Sequence, residues 1–222
     1  KKFIIVRVPD GRLMIDPADT GMAQYLMLHG VYDEFETNFV RDICRPGMTT
    51  VDVGAHWGYF TLIISEKSGP NGKVFAFEPA IRTSKILQKN AELNECKNIH
   101  VEVKAVSDKT DNSDLWTGGG SVFNFISTKS PDYDPRLTKT EVQMVSLDDF
   151  TRKNKMSIDF ILMDAEGSEM RILQGMKKTF EENPDLLIIA EYNPHTLKLT
   201  KTNPEEYLEL IEKLFMNIKI NI

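Results

Sequence analysis

Three acidic residues that follow an apolar run are the first group in this sequence that could do chemistry. The run covers residues 158–163, and Asp164, Glu166 and Glu169 come directly after it. Carboxylates in such a place can orient a substrate hydroxyl, act as a general base or bind a divalent cation. An acid in the first turn of a helix is also favoured by the helix dipole, which accounts for Glu169 without a catalytic role. We therefore predict that Asp164 and Glu166 are catalytic, without a metal ion, since hard cations need several oxygen ligands.

A second group surrounds a short loop with two glycines. Gly54 and Gly58 stand where the apolar run of residues 49–53 gives way to a helical pattern. Glycine lets backbone approach a ligand closely, and a helix N-terminus can bind a carboxylate. Glu78 follows the next apolar run, about 20 residues after the loop, where nucleotide-binding α/β folds place an acid that binds ribose hydroxyls. This spacing predicts a nucleoside site, and the missing first glycine of G-x-G-x-x-G counts against a dinucleotide.

Two histidines are further candidates. His195 follows the last apolar run of the core and could act as a general base, because imidazole titrates near neutrality. A histidine in a surface loop is the alternative interpretation. His56 lies inside the glycine loop and could contact the cofactor or pack beside Trp57.

Strands that alternate with helices must position these residues. Such alternation predicts right-handed βαβ units and a doubly wound, mostly parallel sheet in one α/β domain over residues 1–222. The carboxyl ends of its strands would face one crevice. Core strands are predicted at residues 49–53, 73–77, 99–105, 158–163 and 186–190, and core helices at residues 59–65, 84–93 and 170–180.

Two segments are predicted to lie outside this core. Residues 1–45 indicate a β-hairpin, at residues 3–8 and 12–15, followed by a helix from Asp33. Residues 108–149 break the alternation with three consecutive glycines, a proline-bounded polar stretch and β-like runs at 122–126 and 141–147. They predict an insertion before the fourth core strand, and both a substrate lid over residues 118–140 and a plain solvated excursion are compatible with it.

Composition and charge count against several classes of protein. The 33 acidic residues outnumber 27 Lys and Arg, for a net charge of −6, whereas proteins that bind duplex nucleic acid use basic residues to neutralise phosphates. Cys44 and Cys96 form no CxxC motif, so we expect neither a disulfide framework nor a zinc cluster, and a reducing, cytoplasmic location. No run reaches the ~20 apolar residues that span a bilayer, so membrane insertion is not expected. A small-molecule or saccharide substrate fits these properties, and the oligomeric state stays open.

Four ordered motifs together resemble the FkbM family of S-adenosylmethionine (SAM)-dependent methyltransferases. They cover residues 51–61, 72–79, 146–149 and 158–169. The resemblance implies a class I methyltransferase fold of Rossmann-like type, SAM as cofactor with S-adenosylhomocysteine (SAH) as product, and methylation of a hydroxyl oxygen. It further implies that Asp52 and Gly54 lie at the methionine end of SAM, Glu78 at its ribose, and Ser107 or Asp108 near its adenine.

The sequence departs from the family pattern at two positions. His56 stands where the family often has Asn, and Leu162 stands where it often has Lys. The second change leaves the acidic residues without a nearby cation. Two other functions stay open: an NAD-dependent oxidoreductase on a related fold, disfavoured by the missing glycine and the absence of a Tyr-x-x-x-Lys pair, and a SAM- or nucleoside-binding module without catalysis.

Overall fold

The computed structural model describes residues 3–118, 124–126 and 137–215 of the 222-residue chain. Most of the predicted lid over residues 118–140 lies outside the described residues. The strands are β1 (Ile4–Val8), β2 (Gly11–Ile15), β3 (Thr49–Val53), β4 (Lys73–Phe77), β5 (Ile99–Glu102), β6 (Ala105–Val106), β7 (Asp111–Thr117), β8 (Asn124–Ile126), β9 (Thr138–Val145), β10 (Phe160–Met163) and β11 (Leu187–Ala190). The helices are α1 (Met22–His29), α2 (Glu34–Ile43), α3 (Tyr59–Ser68), α4 (Ile81–Leu93), α5 (Leu147–Asn154), α6 (Glu169–Gln174), α7 (Lys177–Glu182), α8 (Pro194–Leu199) and α9 (Pro204–Phe215).

The central sheet has five parallel strands in the order β11-β10-β3-β4-β5. The chain first extends from β3 through β4 to β5 and then returns to the other side of β3 with β10 and β11. The predicted doubly wound α/β fold is therefore confirmed. Its strand order changes direction between β3 and β10, so the loops after these two strands lie side by side, which is where open α/β sheets bind ligands.

Apolar side chains cover both faces of this sheet. Ile161 and Met163 pack in one cluster with Val51 and Val53, whereas Phe160 and Leu162 pack in the cluster on the opposite face. A strand buried on both faces needs apolar residues at every position, since successive side chains alternate between faces. This explains why β10 is an unbroken apolar run.

The hairpin of the N-terminal segment packs on α4. β1 and β2 form the predicted antiparallel hairpin, and Asn90 of α4 holds it by accepting a hydrogen bond from the Met14 N–H (2.6 Å). The Asn90 side chain also donates to the carbonyl of Trp57 (2.8 Å), which ties the hairpin to the glycine loop. The predicted helix begins at Asp33, whose side chain accepts a hydrogen bond from the Glu36 N–H (3.0 Å) as an N-cap.

A second sheet, of order β6-β9-β7-β8, covers one end of the core. It contains the described part of the predicted insertion before β10. Its β6 corrects the predicted strand 99–105, which breaks after Glu102 because the Lys104 N–H turns back to the Glu102 carbonyl (2.8 Å). The predicted strand 141–147 ends at Val145, since Ser146 caps α5 by accepting from the Asp149 N–H (3.2 Å).

The predicted helix at residues 170–180 is two helices, α6 and α7. They separate at Gly175, where an added Cβ atom would lie 2.2 Å from the carbonyl oxygen of Ser107. The close approach of the Ser107 backbone to Gly175 coincides with the interruption between α6 and α7. None of the helices within the described ranges has both the length and the apolar character needed to cross a membrane.

Candidate active site

A cavity of about 290 Å³ opens at the carboxyl ends of β3, β4 and β10. It also receives side chains from α1, from the loop before α2 and from β7, so the N-terminal segment and the second sheet both help to enclose it. Most of its wall is apolar or aromatic, as is usual for small-molecule sites. Its lining includes the predicted residues Asp52, Gly54, His56, Glu78, Asp164 and Glu166, together with Tyr25, Tyr32, Phe60, Phe77, Lys104, Val106, Leu115 and Leu162.

The glycine loop is held by its neighbours in the protein. The N–H groups of Gly54 and Ala55 both donate to the carbonyl of Phe77 on β4 (3.0 Å each). Gly54 has a φ of +82°, and an added Cβ atom would lie 1.8 Å from the carbonyl oxygen of Asp164. The sequence analysis attributed this glycine to the close approach of a ligand. In the structure, the group that leaves no room for a side chain at position 54 is the backbone that follows β10. Gly58 likewise accommodates Leu87, whose Cδ1 atom would lie 2.3 Å from an added Cβ, and it does not line the cavity.

Glu78 is fixed at the end of β4. One carboxylate oxygen accepts a hydrogen bond from the His56 N–H (3.1 Å) and the other from the Ala80 N–H (2.8 Å). Burial raises the pKa of Glu78 to about 7, and these two hydrogen bonds oppose the rise. Each carboxylate oxygen has a further lone pair, so the group can still accept bonds from two ligand hydroxyls.

Asp52 lies in β3, just before the glycine loop, and His56 lies within the loop. Burial raises the pKa of Asp52 to about 6, while the hydroxyl of Thr61 on α3 donates to its carboxylate. The His56 ring packs beside Trp57, with centroids 4.3 Å apart. Burial lowers the pKa of His56 to about 4, so the imidazole is neutral. Its Nε2 atom is buried without a hydrogen-bond partner among the described residues.

Two carboxylates, Asp164 and Glu166, line the part of the cavity here called the acidic end, and the nearby Glu36 and Glu191 act on Asp164 through their charges without lining the cavity. Asp164 is exposed to the cavity, yet the surrounding protein raises its pKa, first by burial and then by the charges of Glu191 and Glu166. Burial, followed by the charge of Glu191, raises the pKa of Glu166 to about 8. Asp164 and Glu166, the predicted pair, therefore line the same cavity, and the charges of neighbouring carboxylates contribute to their raised pKa values.

The sequence analysis did not name Glu191 and Glu36, which do not line the cavity but whose charges act on Asp164. Glu191 directly follows β11, so the rule that picked out Asp164 and Glu78 at strand ends would also have found it. Its Oε2 atom is buried and accepts no hydrogen bond within the described residues. Glu36 lies in the first turn of α2, and burial raises its pKa to about 7. No sequence rule places α2 over the crevice.

Tyr32 completes this end of the cavity. Its backbone N–H donates to the hydroxyl of Tyr59 (3.2 Å), which also contacts the hydroxyl of Thr37 on α2 (3.0 Å). Burial, and then the charge of Asp164, raises the pKa of Tyr32 to about 12. The phenol is therefore neutral and can donate a hydrogen bond in the cavity.

Besides Gly58, three predicted residues lie away from the cavity wall. His195 is exposed in the first turn of α8, where its N–H donates to the N-cap residue Asn193 (3.0 Å), and it does not line the cavity. Ser107 is buried and Asp108 is exposed just beyond the lining residue Val106, and the Ser107 hydroxyl donates to Asp108 (2.9 Å). The structure thus does not bring His195 to the acids, while Ser107 and Asp108 border one edge of the site.

No group of three or more His, Cys, Asp or Glu side chains in the described ranges is arranged to hold a metal ion. Lys104 is the basic residue in the cavity lining, and it forms an ion pair with Glu102 (2.5 Å). Leu162, at the position where a lysine was expected from the resemblance, is buried and contributes only apolar surface. The acidic end therefore has no basic side chain in the lining beside it.

The raised carboxylate pKa values predict that the free energy of unfolding falls as the pH rises from about 5 to 8. Such a group holds its proton in the folded state after the unfolded chain has lost it, so its stabilising contribution is present below the unfolded pKa and is lost as the pH passes the folded pKa. For Glu166 this window runs from 4.5 to about 8, and for Glu36 and Glu78 from 4.5 to about 7. The lowered pKa of His56 acts in the opposite sense, but only between about 4 and 6.5.

Denaturant unfolding at several pH values checks this expectation. Glu166→Gln should be more stable than the unaltered protein at pH 8, by roughly 1 kcal/mol after allowance for its partial exposure, because one pKa unit is worth about 1.4 kcal/mol. The variant should show little difference at pH 4.5. The exposed Glu182 serves as the control through Glu182→Gln. Equal stability of all three proteins at pH 8 would show that Glu166 carries no electrostatic cost.

Comparison with known proteins identifies the family. The sequence profile described as "Methyltransferase FkbM domain" matches residues 52–215, which is most of the chain. The chain belongs to the FkbM methyltransferase family. One relative of this FkbM chain is "Methyltransferase 1" of Beauveria bassiana (strain ARSEF 2860), 28% identical over 155 residues. The match covers 62% of this chain, and the chain spans 60% of the length of that relative.

Solved structures similar to this FkbM chain show the same fold. Precorrin 8w decarboxylase from Methanobacterium thermoautotrophicum has a TM-score of 0.52 at 13% identity, over 94% of this chain and 80% of that protein. Trm5b from Pyrococcus abyssi has a TM-score of 0.51 at 15% identity, over 97% of this chain and 47% of that protein. At such identities the likeness concerns the fold alone, which is the Rossmann-like fold of class I SAM methyltransferases.

Proposed function

We propose that this FkbM protein transfers the methyl group of SAM to a hydroxyl oxygen of a small molecule or saccharide. The observation that carries the proposal is that one cavity joins the fixed carboxylate of Glu78 to the carboxylates of Asp164 and Glu166. Glu78 suits the ribose of a nucleoside, and the pair of Asp164 and Glu166 suits a methyl acceptor. Membership in the FkbM family supports the same reaction.

The residues at the glycine loop fit SAM. Glu78 retains acceptor capacity for two ribose hydroxyls, and the buried Nε2 atom of His56 has no partner of its own. Asp52 and the loop at Gly54 would hold the methionine end. Apolar wall from Val106 and Leu115 suits a flat aromatic base, with Ser107 and Asp108 at its border.

The acidic pair would act on the acceptor. When bound, SAM supplies a methyl group on a sulfonium, which is a good leaving group. Asp164 or Glu166 would orient the acceptor hydroxyl and take its proton as the oxygen acquires the methyl group. A pKa raised to about 8, as for Glu166, suits a general base near neutrality. The enclosed cavity contributes proximity and orientation.

Calorimetric titration of SAM, SAH and NAD tests the cofactor. SAM and SAH should bind and NAD should not. Glu78→Ala should weaken SAM and SAH binding by roughly 1 to 3 kcal/mol, since it removes hydrogen bonds to a charged acceptor. The exposed Glu92 on α4 provides a control variant, Glu92→Ala, which should bind both ligands normally. Micromolar NAD binding without a SAM response would refute the proposal, and normal SAM affinity of Glu78→Ala would remove Glu78 from the site.

A further inference from the structure

The acidic end of the cavity lacks a positive partner. Its lining acids follow β10, and the nearby Glu191 and Glu36 add further negative charge, whereas Lys104 follows β5 at the opposite edge of the sheet and is paired with Glu102. None of the other lining residues is Lys or Arg. Carboxylates held close together away from bulk water are costly unless a cation or proton compensates them.

Two of these carboxylates have unused hydrogen-bonding capacity. No described residue donates a hydrogen bond to the Asp164 side chain, which faces the cavity. Glu191 has one oxygen that is buried and without a partner, although Asn193 lies within 3.4 Å of the other. Both carboxylates interact electrostatically with each other and with Glu36. A buried acceptor without a donor loses free energy that a ligand N–H group can restore.

Aromatic rings face the same space. Tyr25 and Tyr32 have ring centroids 6.0 Å apart and planes at 87°, and Tyr32 and Phe60 have centroids 6.5 Å apart at 66°. All three line the cavity beside Asp164 and Glu166. Rings set at steep angles around a concave space present electron-rich faces to a cation, and this attraction is strongest where water is excluded.

We propose that the methyl acceptor carries a protonated amine in addition to its hydroxyl group, and that the ammonium binds at the acidic end beside Tyr25 and Tyr32. The inference rests on the proposed function and specifies its substrate class as amino alcohols or amino sugars. The ammonium donates to the Asp164 carboxylate, and the negative charges of the nearby Glu191 and Glu36 strengthen its attraction, while the adjacent hydroxyl lies within reach of Asp164 or Glu166. Neutral sugars and alcohols of the same shape leave the acids uncompensated.

Titration of matched pairs into SAH-saturated protein tests this inference. The pairs are glucosamine with glucose, and 2-aminocyclohexanol with cyclohexane-1,2-diol, which differ in an amine against a hydroxyl. SAH affinity is measured first, and failure of SAH to bind would refute the proposed function itself. With SAH bound, the amine of at least one pair should bind at least about tenfold more tightly than its neutral partner, as expected for hydrogen bonds to charged groups.

Variants separate this role from the alternatives. Glu191→Gln should weaken amine binding at least about tenfold and leave SAH affinity unchanged, whereas Glu182→Gln on the exposed end of α7 should change neither. Thermal unfolding confirms that the variants are folded. Equal binding within both pairs, or no amine binding at millimolar concentration, would overturn the inference. So would a Glu191→Gln protein with weakened SAM but normal SAH binding, because the acids would then serve the sulfonium of the cofactor.

Discussion

Asp164→Asn and Glu166→Gln, tested separately, are expected to retain SAM binding, and at least one of them to lower methyl-transfer turnover by ~10²-fold or more. That is the usual scale for loss of an acid or base in catalysis. Both residues follow β10 beside the switch point of the sheet, and both line the cavity that also contains the residues proposed to bind the cofactor. Neither substitution changes the size of the side chain, so a loss of turnover would report the loss of the carboxylate.

Glu169 offers the matched comparison for this pair. It lies in the same motif, but its carboxylate accepts hydrogen bonds from the N–H groups of Ala165 and Gly167 (2.9 and 3.2 Å) and supports the loop. Glu169→Gln should therefore lower stability more than turnover. SAM affinity is measured by calorimetry and turnover by SAH release with the same acceptor. Normal turnover in both Asp164→Asn and Glu166→Gln would make these acids structural and return the search for a base to other residues, His195 included.

The core strands could be predicted because their burial leaves a strong pattern. β10 has no polar residue in Phe160–Met163, and all of it is buried between helices. β7, in contrast, begins with Asp111, Asn112, Ser113 and Asp114, because only one of its faces packs on the core. A polar strand of this kind is recognised by its pairing with β9, which depends on residues distant in the sequence. The sequence therefore indicates the doubly wound sheet better than the second sheet.

The same distinction applies to the site. Asp164, Glu166 and Glu78 could be predicted because each follows a core strand, and the ends of parallel strands meet at one edge. Tyr25 and Tyr32 could not, since they reach the cavity through the packing of α1 and of the loop that follows it. The structural reason that position 54 requires glycine could not be predicted either, because the atom that an added Cβ would meet, the carbonyl oxygen of Asp164, is 110 residues further along the chain.

Gly54→Ala is expected to be the most damaging single substitution in the glycine loop. An added Cβ atom would lie 1.8 Å from the Asp164 carbonyl oxygen, so the backbone after β3 or after β10 must move. The φ of +82° adds a further cost of roughly 1–2 kcal/mol for a residue with a side chain. Together these effects should exceed ~4 kcal/mol, the range of exceptionally damaging mutations. Because the two loops carry residues that we propose bind the cofactor and the acceptor, any folded fraction should also bind SAH more weakly.

Gly47→Ala separates the two costs of this substitution. Gly47 has a similar φ of +89°, but an added Cβ atom would meet nothing within 4 Å. It should therefore lose only the roughly 1–2 kcal/mol of left-handed backbone strain and bind SAH normally. Urea unfolding gives both free energies, and calorimetry on the folded protein gives the affinities. If Gly54→Ala is no less stable than Gly47→Ala, the loops after β3 and β10 do not approach each other as closely as described. The volume of the cavity that they share would then exceed 290 Å³.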